Sequence, residues 1–126
     1  MIGMLDITVT EAQVWAVAVA CVMMLLDVVV GFAGSLMTGT FDSSKMRVGL
    51  GHKMLLMCII FMAFVIETAG SHIAGLEFSG VTVVVVCVYI IVMEVGSVME
   101  NIAIAYPEIK DTPLFRVFEN VNEGEE

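Results

Sequence analysis

Hydrophobic and polar positions in this chain segregate by segment rather than by residue. Three long apolar runs, Val14 to Met37, Met54 to about Leu76 and Val81 to about Tyr106, are divided by short polar stretches. Each exceeds the roughly 20 residues a helix needs to cross about 30 Å of hydrocarbon. The pattern predicts an all-α membrane protein with three transmembrane helices, spans 14–37, 54–76 and 81–106, in one domain over 14–106. A membrane β-barrel would show segments of roughly 10 residues with alternating polarity, and none alternates here. Val81 to Val86 has strand propensity, but it opens an uninterrupted apolar stretch, so helix is the better reading.

The intervening segments orient these spans. Lys and Arg in short loops favour the inner side, whereas acids count little. Lys45, Arg47 and Lys53 fall in the first loop and Lys110 and Arg116 in the tail, while the amino-terminal arm (1–13) and the turn around Glu77-Phe78-Ser79-Gly80 have none. With three spans, this predicts an extracytoplasmic amino terminus and a cytoplasmic tail over 107–126. The loop Thr38 to Lys53 is read as a turn followed by a short helix entering the second span, with Ser43 or Ser44 as its cap. Pro107 ends the third helix, Pro113 to Phe118 suits the inner interface, and disorder is expected beyond Asn120.

Composition sharpens this picture. Sixty per cent of the 126 residues are apolar and 15 per cent are charged, too greasy for an ordinary water-exposed surface. Met1 to Gln13 holds Asp6 and Glu11 but no Lys or Arg, unlike a cleavable secretory signal, so the first span is expected to remain as an anchor. Cys21, Cys58 and Cys87 lie singly in three spans, without a C-x-x-C pair or His at ligand spacing, and read as small apolar packing residues. The net charge of −9 is a poor guide, since several acids lie within spans and others close the chain at Glu123-Gly124-Glu125-Glu126.

Asp27, Glu67 and Glu94 each lie 13 residues into their spans, or roughly 20 Å along a helix. An ionisable group at such depth costs a few kcal/mol and normally faces a bundle interior or water. With no Lys or Arg inside the predicted spans, the acids are expected to be protonated and hydrogen-bonded or to line a wet space made by several chains. Either way the protein is expected to be oligomeric.

Small and polar residues extend these positions into seams. Asp27, Gly31 and Ser35 share one stripe, and Gly31 to Ser35 is a small-x-x-x-small pair permitting close approach. Ala63, Glu67, Gly70, Ser71 and Ala74 form a second stripe. Glu94, Ser97, Asn101 and Ala105 form a third, with Glu100 about 100° away. The candidate intramembrane polar seam is therefore Asp27, Glu67, Glu94, Ser97, Glu100 and Asn101, with helix packing through Gly31, Gly34, Ser35, Gly70 and Ser71. The bland alternative is that these seams only pack three helices together.

No nucleophile has a positioned base, and Gly49-Leu50-Gly51-His52-Lys53 lacks the spacing of a phosphate-binding loop. The chain reads as a non-enzyme with no cofactor and no metal. Its expected partners are the bilayer and further copies of itself, with no nucleic acid.

Two motifs carry a family resemblance. Asp27-x-x-x-Gly31 with Phe41-Asp42-Ser43-Ser44-Lys45-Met46-Arg47-Val48-Gly49 and then Lys53 resembles the first half of the phage-lysis and toxin-secretion holin family. Glu94-x-x-Ser97-x-x-Glu100-Asn101, followed by Pro107 and Pro113, is similar to that family's carboxyl-terminal signature. The likeness runs from Asp27 to Phe118. It implies a small protein that accumulates in a bacterial cytoplasmic membrane, oligomerises, and opens lesions through which an endolysin or toxin passes. Asp27, Ser44, Lys45, Lys53, Glu94, Ser97, Glu100 and Asn101 match the family pattern, and the cytoplasmic loop motif comprises Ser43, Ser44, Lys45, Arg47, Gly49 and Lys53. Met- and Val-rich spans, Glu67 and an acidic tail depart from it. Rival readings are a subunit of a small ion-conducting ring or channel using the deep carboxylates, and a non-conducting antiholin or scaffold.

Overall fold

A computed structural model describes residues 7–76 and 82–123. Helix α1 is Glu11–Thr38, α2 is Ser43–Gly70 and α3 is Val83–Ala105; a 3-10 turn at Pro107–Asp111 leads into α4, Pro113–Glu123. The first three are long and apolar enough to cross a membrane. The turn Glu77 to Gly80 and the terminal 124–126 lie outside the described residues, as do residues 1–6 of the amino-terminal arm.

The helices begin where side chains can satisfy orphan backbone donors. Thr10 and Gln13 form a capping box at α1: the Gln13 amide donates to the Thr10 hydroxyl at 3.2 Å, and the Thr10 amide donates to Oε1 of Gln13 at 3.0 Å. The spelling Thr-x-x-Gln is a start signal, and it places the first turn three residues before the apolar run. Asp42 caps α2, accepting from the Ser44 amide at 2.9 Å, so neither Ser43 nor Ser44 is the cap. Thr82 caps α3 by accepting from the Val85 amide at 3.2 Å.

The Asp42 cap changes the second span most. Instead of a short entry helix ahead of a span opening at Met54, one uninterrupted helix runs from Ser43 to Gly70. Lys53 therefore lies ten residues inside it, roughly 15 Å from its start. At the α1–α2 turn, Gly39 takes a left-handed conformation (φ 68°) and its amide closes onto the Leu36 and Ser35 carbonyls, a geometry that glycine adopts without steric cost.

Partner positions give the helix directions. Asp27 meets Lys53 and Cys21 meets Met57, so α2 runs antiparallel to α1. Gly31 faces Asn101 and Gly34 faces Ala105, so α1 and α3 run parallel. These two pack along much of their length, while α2 touches each over a shorter stretch. The core is Ala16, Ala20 and Met24 from α1, Ile60 and Ala63 from α2, and Val83, Cys87 and Ile90 from α3. Outward-facing Val22, Leu25, Leu55, Phe61, Met62, Val85 and Val88 are exposed, as suits a bundle whose solvent is lipid.

The tail departs from expectation. Leu114, Phe115, Val117 and Phe118 belong to a helix, and it continues through Glu123 rather than ending in disorder after Asn120.

Candidate functional site

Lys53 stands between two carboxylates contributed by the other two long helices. Its Nζ donates to Oδ2 of Asp27 and to Oε2 of Glu94, each at 2.8 Å. The Asn101 side-chain amide donates to the second Asp27 oxygen at 2.9 Å. All three ionisable side chains are largely withdrawn from the surface, with relative exposures of 17% for Lys53, 14% for Asp27 and 5% for Glu94. Residues 26 and 41 positions apart are thus tied through one ammonium.

This overturns the expectation that the deep acids lack a basic partner in their own chain. The apolar run alone places Lys53 in a loop because it directly precedes Met54. A helix start at Ser43 or Ser44 is legible in the sequence; its unbroken continuation from the Asp42 cap through the apolar run is what carries Lys53 to the level of Asp27 and Glu94. Among the described residues, every buried side-chain nitrogen and oxygen has a hydrogen-bonding partner. The protomer can therefore hold these charges by itself, at the level of side-chain satisfaction.

Glu67 is elsewhere. Its Oε2 accepts from the Val83 amide at 2.7 Å, at the amino terminus of α3, where backbone donors lack helical partners and the helix dipole favours an anion. It lies 14 residues beyond Lys53 along α2, roughly 21 Å along the axis. The three acids do not share one level: Asp27 and Glu94 are drawn together and Glu67 clamps the far end of the α2–α3 pair.

Helix packing follows Gly31 and Gly34. A Cβ on Gly31 would come to 3.4 Å from Nδ2 of Asn101, and one on Gly34 to 3.3 Å from Cβ of Ala105. Ser35, offered by the Gly31-to-Ser35 spacing, instead donates its hydroxyl to the Phe32 carbonyl at 2.9 Å. Gly70 is the last residue of α2, and Ser71 is exposed, donating to the Thr68 carbonyl at 2.8 Å.

A cavity of about 350 Å³ runs from the α1–α2 turn to the charged cluster. Thr38, Thr40 and Asp42 line its turn end, Lys45, Gly49 and Ser35 its sides, and Asp27, Lys53 and Asn101 its floor. A second recess of about 480 Å³ is bordered by His52, Lys53, Glu94 and Ser97, with Asp27 of α1 also in its lining. Ser43, Ser44 and Arg47 are exposed on the first turns of α2, and Glu100 is exposed on α3. Of the sequence-predicted residues, the fold therefore assembles Asp27, Lys53, Glu94 and Asn101, brings Ser97 alongside, and leaves Glu67, Glu100, Ser43, Ser44 and Arg47 outside the cluster.

Sulfur gathers separately. Cys21 and Met57 meet at 3.7 Å, and Cys87 is fully buried in the core. Among the described residues no group of three or more His, Cys, Asp or Glu side chains is arranged to hold a metal.

The family model described as the bacteriophage holin family matches residues 7–109, which takes in all three apolar helices and the charged cluster. No curated protein and no solved structure matches the chain.

Proposed function

Because this chain belongs to the bacteriophage holin family, we propose that it oligomerises in a bacterial cytoplasmic membrane and forms lesions that let an endolysin or toxin cross. The observation that carries this reading is the family match over residues 7–109, which includes every apolar span. Its amino terminus lies outside and its tail inside. Lys45 and Arg47 near the α1–α2 turn, with Lys110 and Arg116 beyond α3, supply the inner positive charge.

The closed protomer is held by the Asp27–Lys53–Glu94 cluster, with Asn101 completing the Asp27 shell. Opening moves α2 away from α1 and α3, because α2 packs against each of them over a shorter stretch than they pack against each other. Separation exposes Asp27, Lys53, Glu94 and Asn101 together, and in an assembly of several copies these side chains line a shared aqueous lumen. The cavity reaching Lys53 from the α1–α2 turn is where water first enters.

Magnitudes decide the trigger. Drawing Lys53 away from its carboxylates while they stay shut off from water costs about 3–5 kcal/mol. Moving a unit charge through the whole membrane potential is worth about 2.3 kcal/mol per 100 mV, and Lys53 traverses only part of it. Loss of potential therefore biases opening, while water and contacts with neighbouring copies supply the remainder.

The test is inducible expression in bacteria that hold a cytoplasmic endolysin. Abrupt lysis with enzyme release is the expected outcome. Growth arrest without release would point to a small ion-conducting ring and no effect to an accessory antiholin, and either result overturns the proposal.

A further inference from the structure

We propose that α4 is an interfacial helix whose Leu114 and Val117 edge is seated in the lipid headgroup and upper acyl region, so that the tail is a second membrane-contacting element. Two observations point to lipid as the occupant of that edge, and a third sets how the helix is seated.

The first is position. Only Tyr106, the 3-10 turn Pro107–Asp111 and Thr112 separate α3 from α4, and a 3-10 turn rises only about 2 Å per residue. Helix α4 also packs back against α3. It is thereby held beside the end of an apolar spanning helix, at the level where hydrocarbon gives way to headgroups.

The second is the division of its faces. At about 100° per residue, Leu114, Val117, Phe118 and Phe115 occupy one continuous arc, with Arg116 and Glu119 opposite. Within that arc Phe115 and Phe118 are half-buried, whereas Leu114 and Val117 are each 59% exposed. The folded chain thus covers one side of the apolar arc and leaves the other bare beside the polar face.

The third is charge. The helix carries Arg116 against Glu119 and Glu123, so attraction to anionic headgroups does not seat it. Its binding rests on apolar contact, which places the stripe about 5–10 Å into the boundary and leaves the acidic face in water.

The experiment uses the full chain in phosphatidylcholine vesicles below its lytic threshold. Trp15, the single tryptophan, is replaced by Phe, and Leu114→Trp, Val117→Trp and Glu119→Trp are made singly. Phosphatidylcholine brominated high in its acyl chains should quench the Leu114→Trp and Val117→Trp variants roughly threefold more than Glu119→Trp, with aqueous acrylamide showing the opposite order. Equal acrylamide quenching of all three would put the helix in water and overturn the proposal. Protection of Leu114→Trp and Val117→Trp from both quenchers would show a protein covering the edge, and overturn it equally. Lysis is not the readout, so failure of the holin reading is distinguishable from failure of this one.

Discussion

Lys53 holds two carboxylates at 2.8 Å, and its value depends on what remains when it is removed. Lys53→Met leaves Asp27 and Glu94 withdrawn from water with no cation, a change expected to cost about 3–5 kcal/mol. Thermal unfolding in detergent should register that loss, and induced cells should lyse earlier than with the parent chain because the closed packing is weakened. Unchanged melting together with unchanged lysis time would remove Lys53 from the latch. Gly34 is the other sensitive residue. A Cβ there already approaches Ala105 to 3.3 Å, so Gly34→Val should push α1 from α3 at an overpacking cost of about 1–3 kcal/mol, read in the same assay. Gly49, where an added Cβ meets nothing within 4 Å, provides the control: Gly49→Ala should leave stability level or slightly raised, since alanine is the better helix former.

At the scale of elements, helix ends carry as much information as helix middles. Thr10 with Gln13, Asp42 and Thr82 mark the starts of α1, α2 and α3, while Glu67 adds a contact from one helix to the next by accepting from Val83. Glu67→Ala is expected to destabilise the α2–α3 pair by about 0.5–2 kcal/mol, the usual worth of a capping acceptor. Glu67→Gln keeps an acceptor while losing the charge that favours the helix dipole, and should cost less. If Glu67 instead lined a lumen in the closed assembly, both substitutions would spare stability while altering permeation. Hydrogen exchange at the first turn of α3 separates these outcomes.

For the whole molecule the question is which helix moves. The α1–α3 pair is close-packed through Gly31 and Gly34, whereas α2 is joined to it mainly by the apolar core, the Cys21–Met57 contact and the charged cluster. Tethering α2 should therefore prevent opening. In a Cys58→Ala background, Met57→Cys places a thiol opposite native Cys21, and a short membrane-permeant reducible crosslinker can join them. Crosslinked cells should fail to lyse until a reductant is added. Lysis on schedule with the crosslink intact would show that α2 need not leave α1.

Hydropathy alone was enough to specify three apolar helices and their order, because the requirement to satisfy backbone groups in hydrocarbon acts on one segment at a time. The small residues Gly31 and Gly34, which approach Asn101 and Ala105, were likewise visible as a packing signal. The partner of those acids was not visible in apolar runs. Lys53 borders such a run, and only a helix starting at Ser43, laid antiparallel to α1 and beside α3, carries its ammonium to both carboxylates. Tertiary register also separated Glu67 from the other acids and chose Gly34 over Ser35 at the closest helix contact. Local composition sets which segments leave water, whereas contacts across 26, 41 and 74 residues depend on the relative placement of whole helices.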